Sequence, residues 1–203
     1  MPVDNRLPRS FFNRPTLQVA RELLGTVLVH VDGGRRIAGI ITEAEAYCGE
    51  EDLGCHAKAG RTPRTTVMYG LPGFAYVYFT YGMHWLFNTI TQPEGVPEAV
   101  LIRAIHPTEG IEVISKRRGK QPRQLWTDGP AKLTQALGIH GEHNNRDLTA
   151  PDAQVFLEKG IAIPDSAVTT GPRIGLYTVP EPWKSKPWRF LVKNIENLIT
   201  EQS

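Results

Sequence analysis

The stretch FAYVYFTYGMHWLFNTIT, Phe74–Thr91, decides the fold. Two runs rich in aromatic and β-branched side chains, Phe74–Thr80 and Trp85–Thr91, bracket Tyr81-Gly82-Met83-His84, and a glycine-bearing break of that length between two such runs reads as a β-hairpin. Successive strand residues alternate faces, so Tyr76 and Tyr78 share one face, and Asn88 shares its face with Leu86 and Ile90. Upstream, Thr26–Val31 and Arg36–Thr42 flank Asp32-Gly33-Gly34, a second hairpin signal. Glu43 and Glu45 end the apolar run there and would again share a face. Downstream, Val100–Ile105 reads as a buried strand carrying Arg103 among apolar neighbours.

Helical spacing and end signals place a helix over Thr16–Leu24, one opened by Thr108 through Ile111 and Ile114, and one opened by Asp128-Gly129-Pro130 and stopped by Gly138. Gln154–Leu157, Arg173–Leu176 and Trp188–Lys193 read as short strands. Glu50–Thr66, rich in glycine and charge and without periodicity, reads as a long surface loop, a kind of segment that often carries function. The expectation is α+β: one domain over residues 1–203, with a curved, mostly antiparallel sheet, short helices around it and Met1–Arg9 as a loose arm.

The 203 residues are 40% hydrophobic and 22% charged, the balance of an ordinary globular protein able to bury a sizeable core. A formal charge of +2 neither demands nor excludes a polyanionic partner. Cys48 and Cys55 match no common zinc spacing and read as free thiols of a reducing compartment. With no long apolar run and no apolar signal core, the expected setting is the cytoplasm, without membrane contact.

The candidate site gathers around the two hairpins. Carboxylates near a strand end are ordinarily solvated. Here, however, Glu45 and Arg103 both intrude on apolar strands, and buried charges of opposite sign invite pairing, which would keep Glu45 ionised. Tyr47, His56 and Tyr78 are each ordinary packing residues when taken singly; with Glu45 they would form a base-sized slot whose aromatic faces favour a cationic heterocycle. His56 as a zinc ligand has no partner at a conventional spacing. Tyr81 and Met83 at a hairpin tip are poor turn formers and suit a wedge for a base stack, unless Tyr81 folds back on the sheet. The Asn88 amide needs a partner, in a structural network or at a base edge. Arg61 and Arg64, the run Lys116–Arg123, and Lys132 at a helix start are candidates for phosphate contacts, against the ordinary reading of a solvated surface. A carboxylate, aromatic walls and a wedge are what excision of a base from DNA requires.

Glu43-Ala44-Glu45-Ala46-Tyr47, His56, Arg61-Thr62-Pro63-Arg64 and Tyr76-Val77-Tyr78-Phe79-Thr80-Tyr81-Gly82-Met83 follow one another in an order that resembles the alkyladenine (3-methyladenine) DNA glycosylase family. Asn88, Arg103, Gly129-Pro130-Ala131-Lys132-Leu133 and Pro172-Arg173-Ile174-Gly175 continue the likeness, from about Ser10 to Lys193. The resemblance implies a monofunctional base-excision enzyme of mixed α/β fold, with neither metal nor organic cofactor. It places the water-activating glutamate on Glu45 and a second water contact on Arg103. The stacking residues fall on Tyr47, His56 and Tyr78, the intercalating tyrosine on Tyr81, and the amide that rejects normal guanine on Asn88. Its substrates would be 3-methyladenine, 7-methylguanine, hypoxanthine and ethenoadenine in double-stranded DNA. A monomer is expected, associated with a bacterial nucleoid or, in a eukaryote, nuclear. Two rivals remain at this level: a non-catalytic module that senses DNA distortion with the same hairpin, and a small-molecule hydrolase.

Overall fold

Two glycines at positive φ, Gly33 and Gly34, turn the chain between β1 (Val27–Asp32) and β2 (Arg35–Cys48), as a tight hairpin requires. The computed structural model describes residues 5–202. β3 (Ala75–Thr80) and β4 (His84–Thr91) form the second hairpin, and β5 (Glu98–Glu109) pairs with both β4 and β2. With β6 (Val155–Glu158), β7 (Val168–Gly171) and β8 (Arg189–Val192) they make one eight-stranded sheet. Its order is β3-β4-β5-β2-β1-β6, with β8 joining β2 and β7 joining β8, and every pairing is antiparallel. The helices are short: α1 (Arg9–Phe12), α2 (Thr16–Leu23), α3 (Ile111–Arg118), α4 (Pro130–Leu137) and α5 (Ile195–Glu201). The α+β architecture read from the sequence is the one observed.

Strand alternation separates two faces. Ala44 and Ala46 on β2, Ala75 and Val77 on β3, Phe87 on β4, and Val100 and Ile102 on β5 enter the main core under α2 and α4, with Leu23, Leu133 and Leu137. Tyr76 and Ile90 face the other way and, with Tyr47 and Tyr78, build a smaller aromatic cluster against Cys55, Ala57 and Met68.

Several expectations are corrected. β2 does not stop at Thr42. Beyond Ile40, where β1 leaves its edge, β8 takes over opposite Glu43, Ala44 and Glu45, so these carboxylates sit inside the sheet. Thr108 lies within β5, and α3 starts only after Gly110, whose φ of 68° breaks the strand. Arg173–Leu176 is a turn, not a strand, and the sequence signalled none of α1, β7 or α5. Glu50–Thr66 is less a surface loop than a folded-in segment: it includes the 3-10 turn His56–Ala59, and Asp52, Cys55, Ala57 and Thr65 are buried. Of the expected arm, residues 1–4 lie outside the described residues. Leu7 is buried with its N–H on the Leu157 carbonyl, and Arg9 pairs with Asp147.

Candidate active site

Two β-bulges aim the charged residues. Ile41 and Ala44 both enter the core although three residues apart, because the register slips between Ile41 and Ala44. Likewise Ile102 and Ile105 bracket Arg103, which has no partner on β2. A bulge bends a strand locally and re-aims a side chain. Here the slips leave Glu43, Glu45 and Arg103 on the face opposite the main core. Arg103 Nε donates to Glu43 Oε1 at 2.9 Å and lies 3.4 Å from Glu45 Oε1.

Glu45 is wholly buried. Its Oε1 accepts the Ile174 N–H at 2.7 Å and its Oε2 accepts the Tyr47 hydroxyl at 2.8 Å. Burial is the largest influence on its carboxyl and raises its pKa above the ordinary glutamate value, while Arg103, the Ile174 N–H and the Tyr47 hydroxyl pull the other way. The expected pairing with Arg103 is present and favours the ionised form, but desolvation outweighs the partners, and the group is a stronger base than a surface glutamate.

In front of Glu45 lies a cavity of about 200 Å³, lined by Tyr47, His56, Tyr76, Tyr78, Asn88 and Arg103, by Tyr81 from the hairpin tip, and by Ile174, Gly175 and Leu176. Its size suits one heterocycle, below the roughly 300–1,000 Å³ of drug-sized sites. His56 stands edge-on to Tyr78, with ring centroids 4.6 Å apart, and its Nδ1 shares a 3.0 Å hydrogen bond with the Tyr76 hydroxyl. Burial, Arg64 and Lys58 together push the His56 pKa down to about 4, so its ring is neutral at physiological pH. Asn88 is buried, and its Nδ2 donates to the Tyr76 carbonyl at 2.9 Å. A carbonyl only accepts, so the amide nitrogen, which keeps a second N–H, is the atom that faces Tyr76.

The sequence-predicted residues fall into three groups. Tyr47, His56, Tyr78, Asn88, Arg103 and Tyr81 share the cavity, with Glu45 directly behind its Tyr47 wall. Tyr81 does not fold back on the sheet: it is 84% exposed at a φ of 52°, beside Met83 at 66%. The left-handed region disfavours a bulky side chain, so the turn geometry holds the ring outward against its own preference. Arg64 holds its guanidinium over the ring of Tyr78, a cavity wall, whereas Arg61 lies over Tyr69, outside the lining. Lys132, on α4, is held by Asp128 just before the helix and does not line the cavity, while Arg117 and Arg118 bond Asp32 and Gln135.

Sequence reasoning missed the support beneath the site. Arg173 makes a bidentate ion pair with Asp52 and also bonds the Ala46 carbonyl, with both side chains fully buried. Its guanidinium lies over the rings of Tyr47 and Trp188. In the sequence, Arg173 stands within the Pro172-Arg173-Ile174-Gly175 string of the resemblance, with no role attached to it. Among the described residues no group of three or more histidine, cysteine, aspartate or glutamate side chains could hold a metal ion, and the Cys55 thiol is pushed up to about 12 by burial.

Comparison with known proteins agrees with this geometry. A family model described as methylpurine-DNA glycosylase matches residues 10–196. A protein of Myxococcus xanthus named "Putative 3-methyladenine DNA glycosylase" is 47% identical over 194 residues, 96% of this chain and 93% of its own length. Proteins of the same name from Anaeromyxobacter dehalogenans and Desulfitobacterium hafniense are 47% and 44% identical, each over 93% of this chain and over 84% and 96% of their own lengths. An alkylpurine DNA glycosylase is a hydrolase that acts on DNA, and a buried carboxylate behind an aromatic cavity beside an exposed tyrosine tip suits that work. The chain belongs to the methylpurine-DNA glycosylase family.

Proposed function

We propose that this protein is a monofunctional DNA glycosylase that flips alkylated or deaminated purines out of the duplex and hydrolyses their N-glycosidic bond. The substrates are 3-methyladenine, 7-methylguanine, hypoxanthine and ethenoadenine, and the product is an abasic site. The observation that carries the reading is Glu45, fully buried yet in contact with three residues that line the cavity, Tyr47, Arg103 and Ile174. A structural or distortion-sensing protein gains nothing from a carboxylate kept out of water in that position.

Tyr81 enters the base stack and fills the gap as the damaged nucleotide rotates into the cavity, at an unstacking cost of about a few kcal/mol that is lowest for damaged pairs. Tyr47, Tyr78 and His56 receive the base. Water reaches Glu45 by displacing one of its present donors, and Arg103 lies beside it. As the glycosidic bond stretches, the sugar becomes oxocarbenium-like; Glu45 stabilises that charge and takes the water's proton. A cationic alkylpurine departs without help. A neutral one such as hypoxanthine must be protonated as it leaves; His56 is neutral at physiological pH, so solvent water supplies that proton. Support for a monofunctional reaction comes from the lining: its described residues include no lysine amine to form a Schiff base.

Incubation with duplexes carrying a single hypoxanthine or 7-methylguanine tests the reading. Breaks at the lesion should appear after alkali and not before. Intact strands after alkali would remove the catalytic reading, and breaks without alkali would remove the monofunctional one.

Asn88 sets discrimination on this reading. Its amide lines the cavity and leaves no room for the amino group that guanine carries at its minor-groove edge, so rejection of guanine is steric. Asn88→Ser removes bulk, and excision of guanine from a G·T mismatch should rise about ten- to a hundredfold relative to hypoxanthine. An unchanged ratio would make Asn88 purely structural.

A further inference from the structure

One carboxylate oxygen in the site is shared by two guanidinium groups. Glu43 Oε1 accepts from Arg103 Nε on β5 at 2.9 Å and from Arg189 Nη1 on β8 at 3.1 Å. Arg189 sits opposite Glu45 in the strand register and uses its Nε to hold the Pro172 carbonyl at 3.0 Å. Pro172 begins the turn whose Ile174 N–H bonds Glu45 Oε1. Every donor near Glu45 Oε1 therefore traces back to this pair, Arg103 directly and Ile174 through Arg189 and Pro172.

We propose that Glu43 and Arg189 are positioning residues for base excision, a brace that holds Arg103 and the Pro172–Ile174 turn at the two points from which Glu45 Oε1 is contacted. The inference rests on the glycosylase reading above. The geometry shows what the brace prevents. Arg103 presents a single Nε–H, and that hydrogen goes to Glu43; Glu45 receives only the charge, at 3.4 Å. Without Glu43, the Nε–H would turn to Glu45 and hold its negative charge tightly. A carboxylate so paired is a weaker base and gives up its lone pair to the guanidinium instead of to water.

The groups facing Glu45 are Tyr47 on its own strand, Glu43 two residues before it, Arg103 on β5 and Tyr78 on β3, with Arg189 across the register on β8. Of these, Glu43 alone adds a carboxylate charge, which raises the Glu45 pKa. Removing it and releasing Arg103 act in the same direction. The acid limb of the excision rate, where Glu45 loses activity by protonation, should move to lower pH.

The test is single-turnover excision from a hypoxanthine duplex across pH, beside binding of the same duplex, for the parent, Glu43→Gln, Arg189→Lys and the double variant. In Glu43→Gln the acid limb should fall by about one pH unit. Its plateau rate should drop about tenfold, with affinity within about twofold of the parent. Lysine keeps the charge of Arg189 but cannot serve Glu43 and Pro172 at once, so Arg189→Lys should lose about three- to tenfold in plateau rate. The double variant should be no worse than Glu43→Gln, because both act through one brace. An acid limb that stays in place in a folded Glu43→Gln overturns the proposal, as do additive losses in the double variant. If Glu43→Gln does not fold, an unchanged rate in Arg189→Lys overturns it alone. A parent that excises nothing overturns the glycosylase reading and this one with it; an active parent isolates the failure to the brace.

Discussion

Glu45→Gln leaves the shape of the site in place and removes the proposed base, so single-turnover excision should fall by about two to four orders of magnitude while damaged DNA still binds. Activity within about threefold of the parent would take Glu45 out of the mechanism. The pH profile gives an independent check. Because burial raises the Glu45 pKa, the parent should lose activity on acidification at a higher pH than an ordinary glutamate would dictate. Stability runs in the opposite sense. A carboxyl whose folded-state pKa is raised binds its proton more tightly when folded, so its contribution is full below the unfolded pKa and is lost as pH rises through the folded value. Glutamine mimics the protonated form, and the variant should melt at neutral pH no lower than the parent. A clear drop in melting temperature would mean that the ionised carboxylate, with Ile174 and Tyr47, stabilises the fold.

Asp52→Asn should produce the largest loss of stability. Asp52 is fully buried, pairs with both terminal nitrogens of Arg173 and accepts the N–H groups of Cys48 and Gly54. The neutral amide leaves a buried guanidinium without its counter-charge, a change that costs about 3–5 kcal/mol. For a chain of this size that corresponds to a fall in melting temperature of about 6–20 °C. Asp128→Asn removes the same charge from the exposed Lys132 pair, which is worth about 0–1 kcal/mol. Thermal unfolding of both variants decides the matter, and equal shifts would show that the buried pair contributes no more than the surface one. Arg173 also precedes Ile174, so Asp52→Asn should slow excision well below the melting range, by loosening the N–H that Glu45 accepts.

The hairpins were legible because their signals are local. Asp32-Gly33-Gly34 and Tyr81-Gly82-Met83 lie between runs of strand-forming side chains, and alternation alone put Tyr76 with Tyr78 and Glu43 with Glu45. The start of α4 at Pro130 and its end at Gly138 were likewise carried by residues with a single conformational use. Thr108 misled because its capping chemistry operates only if the chain leaves the sheet, and pairing with β2 keeps residues up to Glu109 extended. Glu50–Thr66 misled because its charge and glycine suggest solvent, whereas Asp52 is there to meet an arginine more than a hundred residues away.

The sequence by itself determined the sheet's antiparallel plan, the shared faces and the kinds of side chain that gather at the cavity, because period-two alternation and turn chemistry are properties of neighbouring residues. Only the tertiary structure decided which groups touch. The two bulges, the entry of β8 beside Glu43–Glu45 and the folding of Asp52 beneath Arg173 depend on pairings between distant segments. So does the protonation balance of Glu45, which follows from how much water the assembled fold removes and from the partners that β2, β5 and the Pro172–Ile174 turn bring to it.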